Sequence, residues 1–101
     1  MKAIIFGSSG FIGKHLVEAL DSACLCFDLN TTFKESKFCD VREPINIKLK
    51  GDIDTIFNFA AVHTTPGHDY EEYFETNIKG AENICEFARR NNINTIIDKR
   101  F

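Results

Sequence analysis

Gly7-Ser8-Ser9-Gly10-Phe11-Ile12-Gly13 follows the apolar run Ala3-Ile4-Ile5-Phe6 and leads directly into a helical pattern. A strand ends there, the chain reverses through glycines that tolerate unusual backbone angles, and a helix begins with free N–H groups and the positive end of its dipole turned outward. Three glycines at this spacing arise by chance in many loops, whereas strand, glycine turn and amphipathic helix in succession are much rarer. The stretch therefore reads as the phosphate-cradling turn of a dinucleotide site, against the plainer alternative of a tight strand-to-helix turn with no ligand.

Working outward, residues 2 to 6 form the strand that feeds this turn. Ile12, Leu16, Val17 and Leu20 recur at helical spacing, with the helix expected to end near Asp21 or Ser22. Ala23-Cys24-Leu25-Cys26-Phe27 is too short for a helix and apolar on both faces, as a central parallel strand must be, and it ends at Asp28. Asn30 to Lys37 reads as loop, Lys37-Phe38-Cys39 as a weak third strand finishing at Asp40-Val41, and Pro44 to Leu49 as a short helix or a loop crossing. Gly51-Asp52 turns the chain into Thr55-Ile56-Phe57-Asn58-Phe59-Ala60-Ala61, the clearest strand of all.

After the break at Thr64-Thr65-Pro66-Gly67, Asp69 and Glu72 form a capping box. Tyr70, Phe74, Ile78, Ala81, Cys85 and Ala88 then predict the buried stripe of a long helix, with Glu71, Glu72 and Glu75 at its start and Arg89 and Arg90 at its end to suit the dipole. Thr95-Ile96-Ile97 opens a last strand that stops at Asp98. Strands alternating with helices predict an α/β fold, a Rossmann-type doubly wound parallel sheet of about five strands with flanking helices, ligand belonging at the carboxyl ends of the strands.

Bulk properties limit the partners. The chain has 101 residues, 44% hydrophobic and 27% charged, which is ordinary globular composition with room for one domain at most. Net charge is −3 and no basic stripe tracks a phosphate backbone, so nucleic acid is not expected as a partner. No apolar run approaches the roughly 18 residues of a membrane helix, and Met1-Lys2 runs straight into the first strand, so a cytoplasmic protein with no membrane partner is expected. Cys24, Cys26, Cys39 and Cys85 form no Cys-x-x-Cys pair and read as reduced, mostly buried thiols; no metal ligand set emerges from them or from His63 and His68.

Asp28 lies 18 residues beyond Gly10, at the end of the second strand, where a carboxylate can accept hydrogen bonds from an adenosine ribose and repel a 2′-phosphate. NAD is therefore expected over NADP; the alternative is that Asp28 only starts a turn with Asn30. Asp40 and Val41 end the third strand at the same edge, where the acid can meet the adenine amino group and the valine can pack on the ring. Ala60 and Ala61 let backbone approach a cofactor closely. His63 is expected in a loop near the cofactor and His15 on the exposed side of the first helix. Asn77, polar inside a good helix, calls for a functional explanation.

With these residues assembled, the chain resembles the NAD-dependent epimerase/dehydratase family, the extended short-chain dehydrogenase/reductases. The resemblance rests on Gly7-x-x-Gly10-x-x-Gly13, Asp28, Asp40-Val41, Asn58-Phe59-Ala60-Ala61-Val62-His63, and Tyr73 to Asn83 at the long helix. It implies that Phe11 and Ile12 lie against the pyrophosphate, that Asp28 and Asn30 hold the ribose, and that Asp40 and Val41 contact adenine. Phe59, Ala60, Ala61 and His63 would line the middle of the cofactor, and Asn77 would stand where the family's supporting helix asparagine stands. For a full-length relative it implies a nucleotide-sugar substrate and a homodimer.

The family's chemistry uses a Ser or Thr after the fifth strand and a Tyr-x-x-x-Lys pair. Tyr70 is followed four residues later by Phe74 and Tyr73 by Asn77, so neither has a lysine to lower its pKa. The chain is accordingly expected to be the N-terminal, NAD-binding part of a longer epimerase/dehydratase-like oxidoreductase, catalytically incomplete, with the rest of the domain and the substrate domain absent. The alternatives are a dinucleotide-binding module without chemistry and a non-functional gene remnant. With so short a fifth strand, the fourth is expected to lose most of one neighbour and leave an apolar sheet edge, with marginal stability.

Overall fold

The computed structural model describes residues 2–20, 24–60, 71 and 74–98. Its strands are β1 (Ala3–Phe6), β2 (Cys24–Asp28), β3 (Ser36–Phe38), β4 (Thr55–Asn58) and β5 (Thr95–Asp98); α1 spans Phe11–Leu20 and α2 spans Gly80–Arg90. They form one sheet in the order β3-β2-β1-β4-β5, with each neighbouring pair parallel. The chain works outward from β1 to β3, then crosses to β4 on the other side of β1. That reversal opens a crevice at the carboxyl ends of β1, β2 and β4, beside the glycine turn.

Because side chains alternate along a strand, β1 feeds two cores at once. Ala3 and Ile5 pack with Val17 of α1, Cys26 and Phe57. Ile4 and Phe6 pack with Phe27, Ile56 and the α2 residues Ile84, Phe87 and Ala88. The Phe87 ring, fully buried, meets Phe6 edge to face at 6.2 Å between centroids. Of the stripe expected on α1, Val17 is buried and Leu16 and Leu20 pack at the core margin, but Ile12 is exposed, because the first helical turn projects beyond the sheet.

Residues 39 to 54, between β3 and β4, cross without a helix. Val41 and Ile45 are buried there, with Ile47, Leu49 and Ile53 packed against the same core. Arg90 donates through Nη2 to the Ile45 carbonyl at 2.7 Å, pinning this crossover to the end of α2. α2 itself stops at a Schellman cap: Asn92 is left-handed (φ 57°), Asn92 N–H donates to the Arg89 carbonyl, and Ile93 N–H donates to that of Ala88.

Three expectations need correcting. The fourth strand keeps both neighbours: β5 pairs with it from Thr55↔Thr95 to Asn58↔Asp98. The ladder closes because β4 occupies four residues, not the seven expected, so a four-residue β5 covers it. The long helix is not uniform either, since Phe74–Lys79 is a π-helix that runs into α2. Its wider turn changes the phase of the stripe. Asn77, Gly80, Ile84, Phe87 and Ala88 are buried, whereas Phe74, Ile78 and Cys85 face outward. Gly80 sets that phase, for a Cβ on it would stand 2.9 Å from Val41 Cγ2. Lastly, β3 begins at Ser36, whose hydroxyl faces inward, and not at Lys37. The expected cap Asp69 with Glu72 lies outside the described residues, as do Tyr70 and His68.

None of the four cysteines is in a disulfide: Cys26 is buried, Cys24 and Cys39 are half-buried and Cys85 is exposed. Burial pushes the Cys26 thiol up to about 12, helped by Cys24, whose sulfur lies 3.9 Å away, and by Glu35. Burial also raises Cys39. Since the thiolate is the nucleophile, a disulfide reagent at about pH 8 is expected to label Cys85 first and Cys26 on the order of a hundredfold more slowly. Mass spectrometry of a labelling time course checks the order; early modification of Cys26 would contradict it.

Candidate functional site

The glycine turn is held by the end of β2. Gly7 N–H donates to the Phe27 carbonyl at 2.8 Å, Ser8 N–H reaches the same oxygen at 3.3 Å, and Gly10 N–H closes the turn on Gly7 O at 3.2 Å. The three glycines answer to different constraints. Gly7 has φ +86°, and a Cβ on it would lie 2.5 Å from the Phe59 carbonyl carbon. A Cβ on Gly13 would lie 2.4 Å from Gly7 O. Gly10, exposed, would meet nothing nearer than Gly7 O at 3.5 Å, an ordinary contact. Among the described residues nothing requires a glycine at position 10, which fits a group approaching the turn from outside. α1 starts there with no acidic residue in its first turn, so its positive end is free to face an anion. Phe11 (79% exposed) and Ile12 flank that end, the Phe11 ring lying over His15 on the outer side of the helix.

Asp28 stands beside the turn. Its Oδ2 accepts from Ser9 N–H at 2.9 Å and its Oδ1 from Asn30 N–H at 3.0 Å. Each oxygen keeps a further lone pair, so the carboxylate can accept from two vicinal hydroxyls. Asn30 does not aim its side-chain oxygen at the same place, since that oxygen accepts from Thr32 N–H at 2.9 Å and shapes the loop.

Next to Asp28 opens a cleft of about 160 Å³, walled by Gly7, Leu29, Asp40, Val41, Ala60 and Thr76. Sequence reasoning found four of those six positions. It missed Arg42, which grips Asp40 with Nε and Nη2 at 2.8 Å each and with its backbone N–H at 3.0 Å. It also missed Asn83, whose Nδ2 donates to the Val41 carbonyl at 2.9 Å and ties this wall to α2. An acid followed two residues later by arginine was the available signal for the first; no local pattern marks the second.

The Arg42 side chain holds the Asp40 carboxyl below its ordinary 3.8, against an opposing effect of burial. A carboxyl lowered in the folded state stabilises the fold fully above 3.8, and the contribution fades as pH falls through the lowered value. Arg42→Gln is expected to return the carboxyl toward 3.8 and to flatten this acid limb. NMR titration of the Asp40 carboxyl carbon in both proteins reads the change directly, and identical curves would remove Arg42 as the cause.

On the β4 side, Phe59 carries the ladder one step on by donating to the Phe6 carbonyl at 2.8 Å, while its ring packs with Phe57 on the α1 face. Asn58, buried, accepts from Ala60 N–H through Oδ1 at 3.2 Å and donates to Asp98 Oδ2 at 3.2 Å. It thus aligns the ends of β4 and β5. Asn77 is 3% exposed in the π-helix, next to Thr76 in the cleft wall. Ala61 and His63 lie outside the described residues. Among the described residues, no group of three or more His, Cys, Asp or Glu side chains is placed to hold a metal, and no helix is long and apolar enough to cross a membrane.

A model of the NAD dependent epimerase/dehydratase family matches residues 3–98. No curated protein matches the chain. Among solved structures, UDP-galactose 4-epimerase superposes with a TM-score of 0.76 at 22% identity, over 97% of this chain and 37% of its own. ADP-L-glycero-D-manno-heptose-6-epimerase of Helicobacter pylori gives 0.75 at 22%, over 95% and 38%. A short-chain dehydrogenase/reductase superfamily protein of Agrobacterium tumefaciens, solved with bound NAD, gives 0.76 at 15%, over 97% and 32%. The chain thus spans little more than a third of the solved proteins it resembles, and at these identities they establish the fold alone.

Proposed function

Since the chain belongs to the NAD-dependent epimerase/dehydratase family, we propose that it binds the adenosine diphosphate half of NAD as the cofactor-binding part of an oxidoreductase acting on a nucleotide sugar. The observation that carries the reading is the Asp28 carboxylate, fixed by two backbone N–H groups beside the glycine turn and leaving acceptor positions for a ribose diol. The pyrophosphate belongs over Gly10 and the first turn of α1. Adenine belongs in the cleft between Val41 and Ala60, with Asp40 at its rim. A negative charge at Asp28 disfavours the 2′-phosphate of NADP.

NAD supplies the chemistry of the family by taking a hydride from a substrate carbon and, in an epimerase, returning it. The residues described here bind and orient; the 101 residues contain no Tyr-x-x-x-Lys pair to move the substrate proton. We further propose that the chain is the N-terminal part of a longer enzyme, a reading supported by its likeness in fold to solved proteins about three times as long.

Calorimetric titration separates the outcomes. NAD is expected to bind and NADP to bind at least about tenfold more weakly, because the phosphate would be forced against a carboxylate. No binding of either ends the dinucleotide reading. Conversion of UDP-glucose to UDP-galactose by these residues alone would overturn the claim that they bind without turning over.

A further inference from the structure

Three serine hydroxyls meet between the glycine turn, β2 and the first residue of β3. Ser8 is fully buried and its Oγ donates to the Phe27 carbonyl at 3.3 Å. Ser9 Oγ lies 2.6 Å from the Asn30 carbonyl oxygen and 3.0 Å from Ser36 Oγ. Ser36, 7% exposed, also shares a hydrogen bond with Ser8 Oγ. Each hydroxyl has one proton. With the Ser8 proton on Phe27 O, the Ser36 proton is left for Ser8 Oγ, and Ser9 Oγ shares its proton between the Asn30 carbonyl and Ser36 Oγ, so that Ser36 links the two turn serines. Ser36 is the one buried side chain of β3, since Lys37 and Phe38 point outward.

The link matters because of what Ser9 does with its backbone. Its N–H is the donor that fixes Asp28 Oδ2. A bond from β3 to the Ser9 side chain thus sets the direction of the carboxylate that faces the ribose. We propose that Ser36 is a positioning residue for recognition of the ribose hydroxyls, acting through Ser9 on Asp28. The inference rests on the dinucleotide reading above and adds to it an edge-strand hydroxyl that no contact with ligand would reveal.

The test compares ADP with its dideoxyribose analogue, which lacks both ribose hydroxyls, on the full chain by calorimetry. Ser36→Ala is expected to weaken ADP about three- to tenfold, the worth of one hydrogen bond, and to leave the analogue unchanged, so that discrimination between the two shrinks. Equal weakening of both, or of neither, overturns the proposal, because a merely structural serine would not distinguish them. If Ser36→Ala does not fold, Ser9→Ala, which keeps the amide and removes the hydroxyl, is expected to narrow the discrimination in the same way, and an unchanged ratio overturns the proposal. Without any ligand, Ser9 amide exchange is expected to quicken in Ser36→Ala, and unchanged exchange counts against it. Wild-type protein that binds neither nucleotide overturns the parent reading and the inference with it, whereas wild-type preference for ADP with an insensitive Ser36 overturns the inference alone.

Discussion

Gly7→Ala is expected to cost the fold about 3–5 kcal/mol, enough to unfold a chain of this size. Two effects add. An L-residue held at φ +86° pays about 1–2 kcal/mol, and the new methyl would sit 2.5 Å from the Phe59 carbonyl carbon and 2.6 Å from the Ala60 nitrogen. Both are backbone atoms just past β4, held by the Phe59 N–H bond to the Phe6 carbonyl and the Ala60 N–H bond to Asn58 Oδ1, and cannot retreat without breaking them. Gly10→Ala makes the contrast. Its Cβ makes only an ordinary contact with Gly7 O, 3.5 Å away, so the melting transition is expected to stay within about 1 kcal/mol of wild type, while NAD binding falls about tenfold or more as the methyl intrudes where the pyrophosphate would lie. Thermal melts and calorimetry on the two variants check the split. Unchanged binding by Gly10→Ala would remove the phosphate from position 10.

The second large effect is expected at Asp28. Asp28→Ala removes an acceptor that serves two backbone donors and, in the proposed complex, two ribose hydroxyls. Hydrogen bonds to a charged group contribute about 1.5–3 kcal/mol each, so NAD affinity is expected to drop at least about tenfold and the preference over NADP to vanish. The pairing of the two outcomes is what identifies the residue's role. A variant that lost affinity for NAD and NADP alike would make Asp28 a turn residue and no more.

Both positions were legible from sequence because their constraints are local. The glycine spacing and the strand before it place the turn, and counting from Gly10 along one helix and one strand brings Asp28 to the same edge. Asp40, Val41 and Ala60 follow from the same logic, as strand ends of a parallel sheet share an edge. Arg42, two residues from the acid it grips, carried a local signal, whereas Asn83 and Ser36 carried none. Asn83 touches Val41 from 42 residues away, and Ser36 touches Ser8 across 28, so no window of sequence contains both partners. The long helix failed for a related reason. Its 3.6-residue period allows two neighbouring stripes, and the choice between them is made by the fit of Gly80 against Val41 and by the wider turns of Phe74–Lys79.

Sequence alone determined the alternation of strand and helix, the glycine turn and the acid beside it, since backbone preference and apolar periodicity act over a few residues. The tertiary structure decided which helix face is buried, that a four-residue β5 completes the pairing of β4, and that a serine on the edge strand reaches the turn. Those outcomes depend on the packing of segments far apart in the chain, where a single Cβ or hydroxyl selects among arrangements that local preference leaves nearly equal in energy.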